Sequence, residues 1–232
     1  MTAIASGAVI AAGQGSRLRA LGVPKPFVKV AGAPLIEHVL SNFEAAGIAS
    51  AAVIFNESAR DCEAFVRERF GRLVSTVLVK TTRSSLESFR AILAAAPRGR
   101  LLVSTVDAFC PRRDFVDFVR RAEKLPAGAT VLAVTGYVHD EKPLWVTTTR
   151  RGRVSVVGGA SGDAVTAGIY VFPEKVRRLG IPPGLPRLRD FLAWLAKEGE
   201  PIQSVAIRKV VDVDRAEDVA AAEELAMAGG AR

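Results

Sequence analysis

Residues 6–18 read Ser6-Gly7-Ala8-Val9-Ile10-Ala11-Ala12-Gly13-Gln14-Gly15-Ser16-Arg17-Leu18, and Pro24-Lys25-Pro26 follows a few residues later. The apolar stretch 3–11 has the length of a buried strand, and it runs into a turn of small residues. Such residues let the backbone come close to a ligand, with N–H groups turned toward phosphate oxygens. Arg17 adds a planar cationic fork suited to a polyphosphate, and Lys25 adds a second cation. A Gly-x-Gly alone is equally consistent with a plain tight turn; the arginine and the Pro-Lys-Pro segment make the pattern specific. The dinucleotide fingerprint does not fit, since Leu18 stands at its third glycine position, and no Gly-Lys-Ser/Thr follows to make a P-loop. Flanked by prolines in a segment that cannot be regular helix, Lys25 is expected on an exposed loop.

Working outward, strands are expected at 51–55, 73–79 and 101–105. Helices are expected at 35–46 (Pro34 in its first turn and Gly47 closing it), 61–70, 86–96 (capped by Ser84 or Ser85) and 111–125. Strands alternating with helices of this length indicate a parallel sheet covered on both faces. After Pro126 the rhythm changes: a strand at 130–137, a hairpin from 144–149 and 154–157 around Arg150-Arg151-Gly152-Arg153, and a strand at 165–172. A helix at 188–197, an extended run at 204–213 and a helix at 215–228 complete the chain. The expected fold class is α/β: a Rossmann-like, three-layer arrangement with a mixed, mostly parallel sheet and a small β-hairpin insertion.

The 232 residues suit one domain, and a hydrophobic fraction of 49% excludes a disordered chain. No apolar run reaches the length of a membrane span. The N-terminal stretch lacks a basic leader, so no signal peptide is expected and a cytoplasmic setting is the default. Two cysteines, Cys62 and Cys110, make neither a disulfide framework nor a zinc spacing. The net charge of +8 raises nucleic acid as a partner, but the 32 basic residues are dispersed, with no basic tail and no aromatic RNA-binding motif. A phosphate-rich small substrate explains a basic cleft equally well. Arginine outnumbers lysine 24 to 8, with two Asn and two Gln. Scarce amides are a habit of thermophile proteins, and GC-rich coding gives a similar bias.

Two acidic segments stand out. In Val103-Ser104-Thr105-Val106-Asp107 a carboxylate follows an apolar strand, which places it at the carboxyl edge of the sheet, where open α/β folds bind ligands. Taken alone, Asp107 reads better as a helix cap than as a ligand. Val211-Asp212-Val213-Asp214-Arg215-Ala216-Glu217-Asp218 offers acids before the last helix, of which Glu217 and Asp218 suit its first turn. His38 and His139 have no partners in sequence and do not look like metal ligands.

The stretch from Ala8 to Leu18, continued through Pro24-Lys25-Pro26 to Ile36-Glu37-His38-Val39-Leu40, resembles the opening of the nucleotidyltransferases, the sugar-phosphate pyrophosphorylases and their cytidylyltransferase relatives. The spacing from Arg17 to Lys25 is most similar to that of archaeal inositol-1-phosphate cytidylyltransferases. The resemblance implies a nucleotide site of Ala11, Ala12, Gly13, Gly15, Ser16, Arg17 and Lys25, with Arg17 and Lys25 catalytic. Ser85 would lie near the base; a plain helix cap explains it as well. A metal site of Asp107 and Asp214 for Mg²⁺ is also implied, with Asp212 as the alternative to Asp214. Many members have Gly where this chain has Val106, and Ala216 stands at a Pro position. Val165, Thr166 and Gly168 would line an acceptor pocket. Glu141-Lys142-Pro143 precedes the hairpin rather than following it, so the family's acceptor-binding role is not carried onto Glu141.

One domain, 1–232, is then expected, with about 1–125 binding the nucleotide and about 126–232 the acceptor. The implied activity is transfer of a nucleotidyl group, with CTP favoured, to a phosphorylated sugar or polyol such as inositol 1-phosphate, releasing pyrophosphate. The partners are an NTP and a small phosphorylated acceptor; a homodimer is left open. A non-catalytic nucleotide-sensing subunit and a molybdopterin-type nucleotidyltransferase are the alternative readings.

Overall fold

The computed structural model describes residues 3–230. In chain order its elements begin β1 (Ser6–Ala11), β2 (Lys29–Val30), β3 (Ala33–Pro34), α1 (Leu35–Ala45), β4 (Ser50–Phe55), α2 (Asp61–Phe70) and β5 (Val74–Val79). Next come α3 (Ser85–Ala95), β6 (Leu101–Thr105), β7 (Ala108–Phe109), α4 (Arg112–Glu123), β8 (Thr130–Thr135), β9 (Trp145–Thr148) and β10 (Val154–Val157). The chain closes with β11 (Ala164–Phe172), α5 (Glu174–Arg178), α6 (Leu188–Lys197), β12 (Ile202–Ala206), β13 (Val211–Asp212) and α7 (Ala216–Gly230). Short 3-10 turns at Ser16–Leu21, Lys25–Phe27 and Glu57–Ala59 link them.

The apolar run at β1 is buried throughout because it is a central strand, pairing in parallel with β4 on one side and β6 on the other. β5 extends the sheet beyond β4, and β11 joins the far side of β6 antiparallel. β8 pairs with β11, and β12 with β8 in parallel; the β9–β10 hairpin attaches to β11. Within the sheet β11 and β10 run against the rest, so it is mixed and mostly parallel, as the sequence pattern implies. The expected extended run at 204–213 is broken: β12 ends at Ala206, and β13 leaves the main sheet to pair with β7. The isolated pairs β7–β13 and β2–β3 and the short helix α5 carry no periodicity long enough to reveal them in sequence.

Helices cover both faces. On one, Leu35, Phe43, Val66, Phe115 and Phe118 of α1, α2 and α4 join Leu225 of α7 in a core with Val9 and Val53. On the other, Leu86 and Phe89 of α3, Val176 of α5 and Phe191 of α6 pack on Ala8, Ile54 and Val103. The alternation of β1, Ala8 to one face and Val9 to the other, is the strand period at work. Ser84 caps α3, its hydroxyl accepting from the Glu87 N–H at 3.2 Å. Among the described residues no helix is long and apolar enough to cross a membrane.

Candidate active site

The carboxyl ends of β1 and β6 lie side by side, and the Val106 N–H continues the pairing by donating to the Ile10 carbonyl at 3.0 Å. The glycine turn after β1 and Asp107 after β6 are therefore neighbours. The β7–β13 pair adds the third component: Asp212 lies opposite Ala108, and the Val213 N–H donates to the Asp107 carbonyl at 3.0 Å. Asp218 then accepts from the N–H groups of Asp214 (2.9 Å) and Arg215 (2.7 Å), pinning the acid loop to the first turn of α7. The outcome is three carboxylates, Asp107, Asp212 and Asp214, each offering an oxygen within 4.8 Å of the others. Asp212 and Asp214, read from sequence as alternatives, belong to one cluster.

Lys25 contradicts the expectation of an exposed loop. It is 8% exposed, and its ammonium donates to Asp107 Oδ2 at 2.5 Å and to Asp214 Oδ1. The flanking prolines do exclude regular helix, but Lys25–Phe27 forms a 3-10 turn that sends the side chain inward. Its partners lie 82 and 189 residues away, out of reach of any local reading. Burial works against the charged ammonium, yet Asp107, Asp214 and Asp212 outweigh it and hold the Lys25 pKa above its ordinary value. Burial would likewise raise the Asp107 carboxyl, but Lys25 and the Thr105 hydroxyl keep it below the usual range. Asp212 is exposed as a residue, yet the protein around its carboxyl and the like charge of Asp107 raise it well above that range, with Lys25 opposing.

Gly15 has φ +56°, and a Cβ there would come within 2.8 Å of the Lys25 Cβ. This glycine therefore serves the approach of Lys25 as well as that of a ligand. Ala11 and Ala12 are buried at the strand end, where Asn56 donates to the Ala12 carbonyl at 3.2 Å. Gly13, Gln14 and Ser16 are exposed, as is Arg17, one of whose nitrogens lies 3.8 Å from Asp214 Oδ2. Ser85 Oγ accepts from the Leu188 N–H at 3.1 Å, so in this structure it joins α3 to the start of α6.

A cavity of about 170 Å³ opens beside the acids. Val165, Thr166 and Gly168 line it together with Asp107 and Asp212. Gly168 has φ +71° and sits where the β11–β8 register shifts; a Cβ there would meet Thr105 Oγ1 at 2.7 Å. Sequence reasoning missed Thr105, Thr135 and Arg189 in the lining. Thr105 and Thr135 end β6 and β8, so the rule that pointed to Asp107, a polar residue at a strand's carboxyl end, could have found them. Arg189 had no such signal, because its place depends on how α6 packs. His139, without a partner in sequence, lies 3.1 Å from Asp218 Oδ1.

A glycine turn at a central strand, a buried lysine among acids and a cavity lined by two of those acids thus share one edge of the sheet. The chain belongs to the MobA-like NTP transferase domain family, whose model matches residues 7–170. It is similar to the bifunctional IPC transferase and DIPP synthase of Rubrobacter xylanophilus, at 28% identity over 95% of this chain and 51% of that protein. It is also similar to the bifunctional protein GlmU of Bartonella quintana, at 30% identity over 57% of this chain and 29% of that protein. The chain thus spans about half or less of the length of these relatives. Among solved structures, the inositol-1-phosphate CTP transferase from T. maritima superposes with a TM-score of 0.85, at 19% identity over 99% of this chain and 98% of that one. A UDP-glucose pyrophosphorylase complexed with UDP-glucose gives 0.80, at 16% identity over 97% of this chain and 99% of that one. At these identities the two structures speak for the fold.

Proposed function

We propose that the chain transfers a nucleotidyl group, CMP from CTP in the favoured case, to a phosphorylated polyol or sugar such as inositol 1-phosphate, releasing pyrophosphate. The observation that carries this reading is Lys25, packed against Gly15 of the glycine turn and buried between Asp214 and Asp107, the latter of which also lines the cavity. A cation held this firmly among acids suits a reaction whose charges change on phosphoryl oxygens. The choice of CTP and of a polyol phosphate rests on the sequence resemblance and on the relative from Rubrobacter xylanophilus.

The acceptor lies in the cavity along Val165, Thr166 and Gly168, with its phosphate toward Lys25. A phosphate oxygen of the acceptor attacks the α-phosphorus in line, the new P–O bond forms as the bond to the β-phosphate oxygen breaks, and pyrophosphate carries away the electron pair. No covalent intermediate with the protein is needed, so positioning and charge neutralisation supply the catalysis. Lys25 faces the charge developing on the α-phosphoryl group, and Arg17 faces the departing pyrophosphate. The backbone of Ala12, Gly13 and Gly15 holds the triphosphate, and Ser85 lies on the base side.

The donor set of Asp107, Asp214 and Asp212, three hard carboxylates within 4.8 Å of one another, fits Mg²⁺. Lys25 already serves two of them as a cation, so the cluster is built to hold positive charge. When bound, Mg²⁺ would neutralise part of the triphosphate charge.

Pyrophosphate release measured with each common NTP against a panel of phosphorylated acceptors, with and without Mg²⁺, tests the reading. Release is expected only with an NTP, an acceptor and Mg²⁺ together. NTP binding without turnover on any acceptor would turn the reading to a nucleotide-sensing subunit, and transfer to molybdopterin alone would turn it to that branch.

A further inference from the structure

Glu141, on the loop between β8 and β9, has no part in the mechanism above. Its carboxylate faces arginines from two different segments of the site. Oε1 lies 2.5 Å from Arg215 on the acid loop, and Oε2 lies 3.9 Å from Arg17 on the glycine turn. The loop is tied down on either side of Val138, by the Lys209 ammonium 4.2 Å from the Tyr137 ring centre and by the His139 contact with Asp218. Glu141 is thus presented to the arginines by an anchored segment, and Tyr137 and His139 of that segment line the cavity.

We propose that Glu141 is a built-in stand-in for phosphate: it pairs with Arg17 and Arg215 in the free protein, yields them to a polyphosphate, and reclaims them as pyrophosphate leaves. This deepens, and rests on, the reading of Arg17 as a polyphosphate cation. The geometry suits an exchangeable contact. The side chains of Arg17, Arg215 and Glu141 are 52%, 37% and 55% exposed, so water screens the pairs. Exposed pairs shift an equilibrium by only about 1.5- to 5-fold, too little to exclude a ligand of several charges and enough to speed its exchange. The same contact keeps the two arginines converging on one point before the anion arrives. Exchange of ion pairs is the whole step; no covalent bond is made or broken.

Calorimetric titration with inorganic pyrophosphate in Mg²⁺ tests this on the intact chain, on Glu141→Gln and Glu141→Asp, and on Glu141→Gln placed in an Arg17→Ala, Arg215→Ala background. Glu141→Gln, which keeps the size and loses the charge, is expected to tighten pyrophosphate about two- to five-fold and to make it a correspondingly stronger product inhibitor. Glu141→Asp, which keeps the charge, should bind it as the intact chain does. In the background lacking both arginines the Gln substitution should change affinity by less than about 1.5-fold. Unchanged or weaker binding by Glu141→Gln overturns the proposal, as does an equal gain without the arginines, which would mark a general charge effect. Equal losses in Gln and Asp variants would assign Glu141 to loop structure and overturn it too. A chain inactive on every NTP and acceptor that still shows this coupling keeps the anion exchange and loses the transferase reading; an active chain without the coupling does the reverse.

Discussion

Replacing Lys25 by alanine strands its partners. Lys25 is 8% exposed and pairs with Asp107 and Asp214, and without it three carboxylates face one another within 4.8 Å. Removing one partner of a fully buried pair costs about 3–5 kcal/mol. Here the acid side chains are 22% and 41% exposed, so solvent takes up part of the stranded charge. Halving the buried-pair value for that screening leaves about 2 kcal/mol. For a chain of this length each kcal/mol moves the thermal midpoint by about 2–4 °C, so a fall of roughly 4–8 °C is expected. Asp107→Asn added to the variant removes one stranded charge and should recover a large part of the loss. Turnover should fall further, by on the order of 10² to 10³, since a cation aimed at developing phosphoryl charge contributes about 3–4 kcal/mol to the barrier. Circular dichroism melts and single-turnover pyrophosphate release read the two effects separately. A midpoint unchanged within a degree would refute the argument that the ammonium offsets the acids. Near wild-type turnover would remove Lys25 from the mechanism and leave Arg17 as the main phosphate cation.

Gly168→Ala combines φ +71° with a Cβ 2.7 Å from Thr105 Oγ1 and 2.9 Å from the Ala108 Cβ; it should destabilise by about 1–3 kcal/mol and raise the acceptor KM more than the NTP KM, and a fully active, equally stable variant would show that the bulge relaxes freely. Arg177, 8% exposed at its side chain, donates to the carbonyls of Leu93, Ala96, Pro97 and Gly99 behind the end of α3. Arg177→Met should cost about 2–4 kcal/mol and leave turnover at low temperature intact, as a denaturant midpoint and an assay on the same sample would show. The Gly99 N–H, with help from Arg177, holds the Glu174 carboxyl below its usual range. Its stabilisation is present above the ordinary glutamate pKa and is lost as the pH falls through the lowered value, so Glu174→Gln should be less stable at neutral pH and match the wild type in acid. A deficit unchanged across that range would contradict the assignment.

Much of the local structure is legible in sequence because its causes are local. The helix expected at 61–70 is α2, Asp61–Phe70, and that at 188–197 is α6, Leu188–Lys197. In each the apolar period and the boundary residues agree with the packing. β1 and its glycine turn are equally plain, since an apolar strand followed by small residues has few other structures open to it. The break between β12 and β13 was not legible: residues 204–213 read as one extended run, and only pairing with two different strands divides them.

Periodicity and turn residues alone were enough to read the fold class, the glycine turn with its cations, and the strand end that carries Asp107. The acid segment pointed to Asp214 with Asp212 as its alternative, and the prolines around Lys25 placed it in solvent. That Asp212 and Asp214 share one cluster, and that Lys25 is buried, follow from long-range packing. The Lys25 ammonium meets acids 82 and 189 residues away, brought to it by the β1–β6 pairing and the β7–β13 bridge. Glu141 reaches Arg17 and Arg215 across three separate segments in the same way. Periodicity, caps and turns report the few residues around them, whereas burial and charge pairing depend on which distant segments the sheet order makes neighbours, and that order is set by packing of the whole chain.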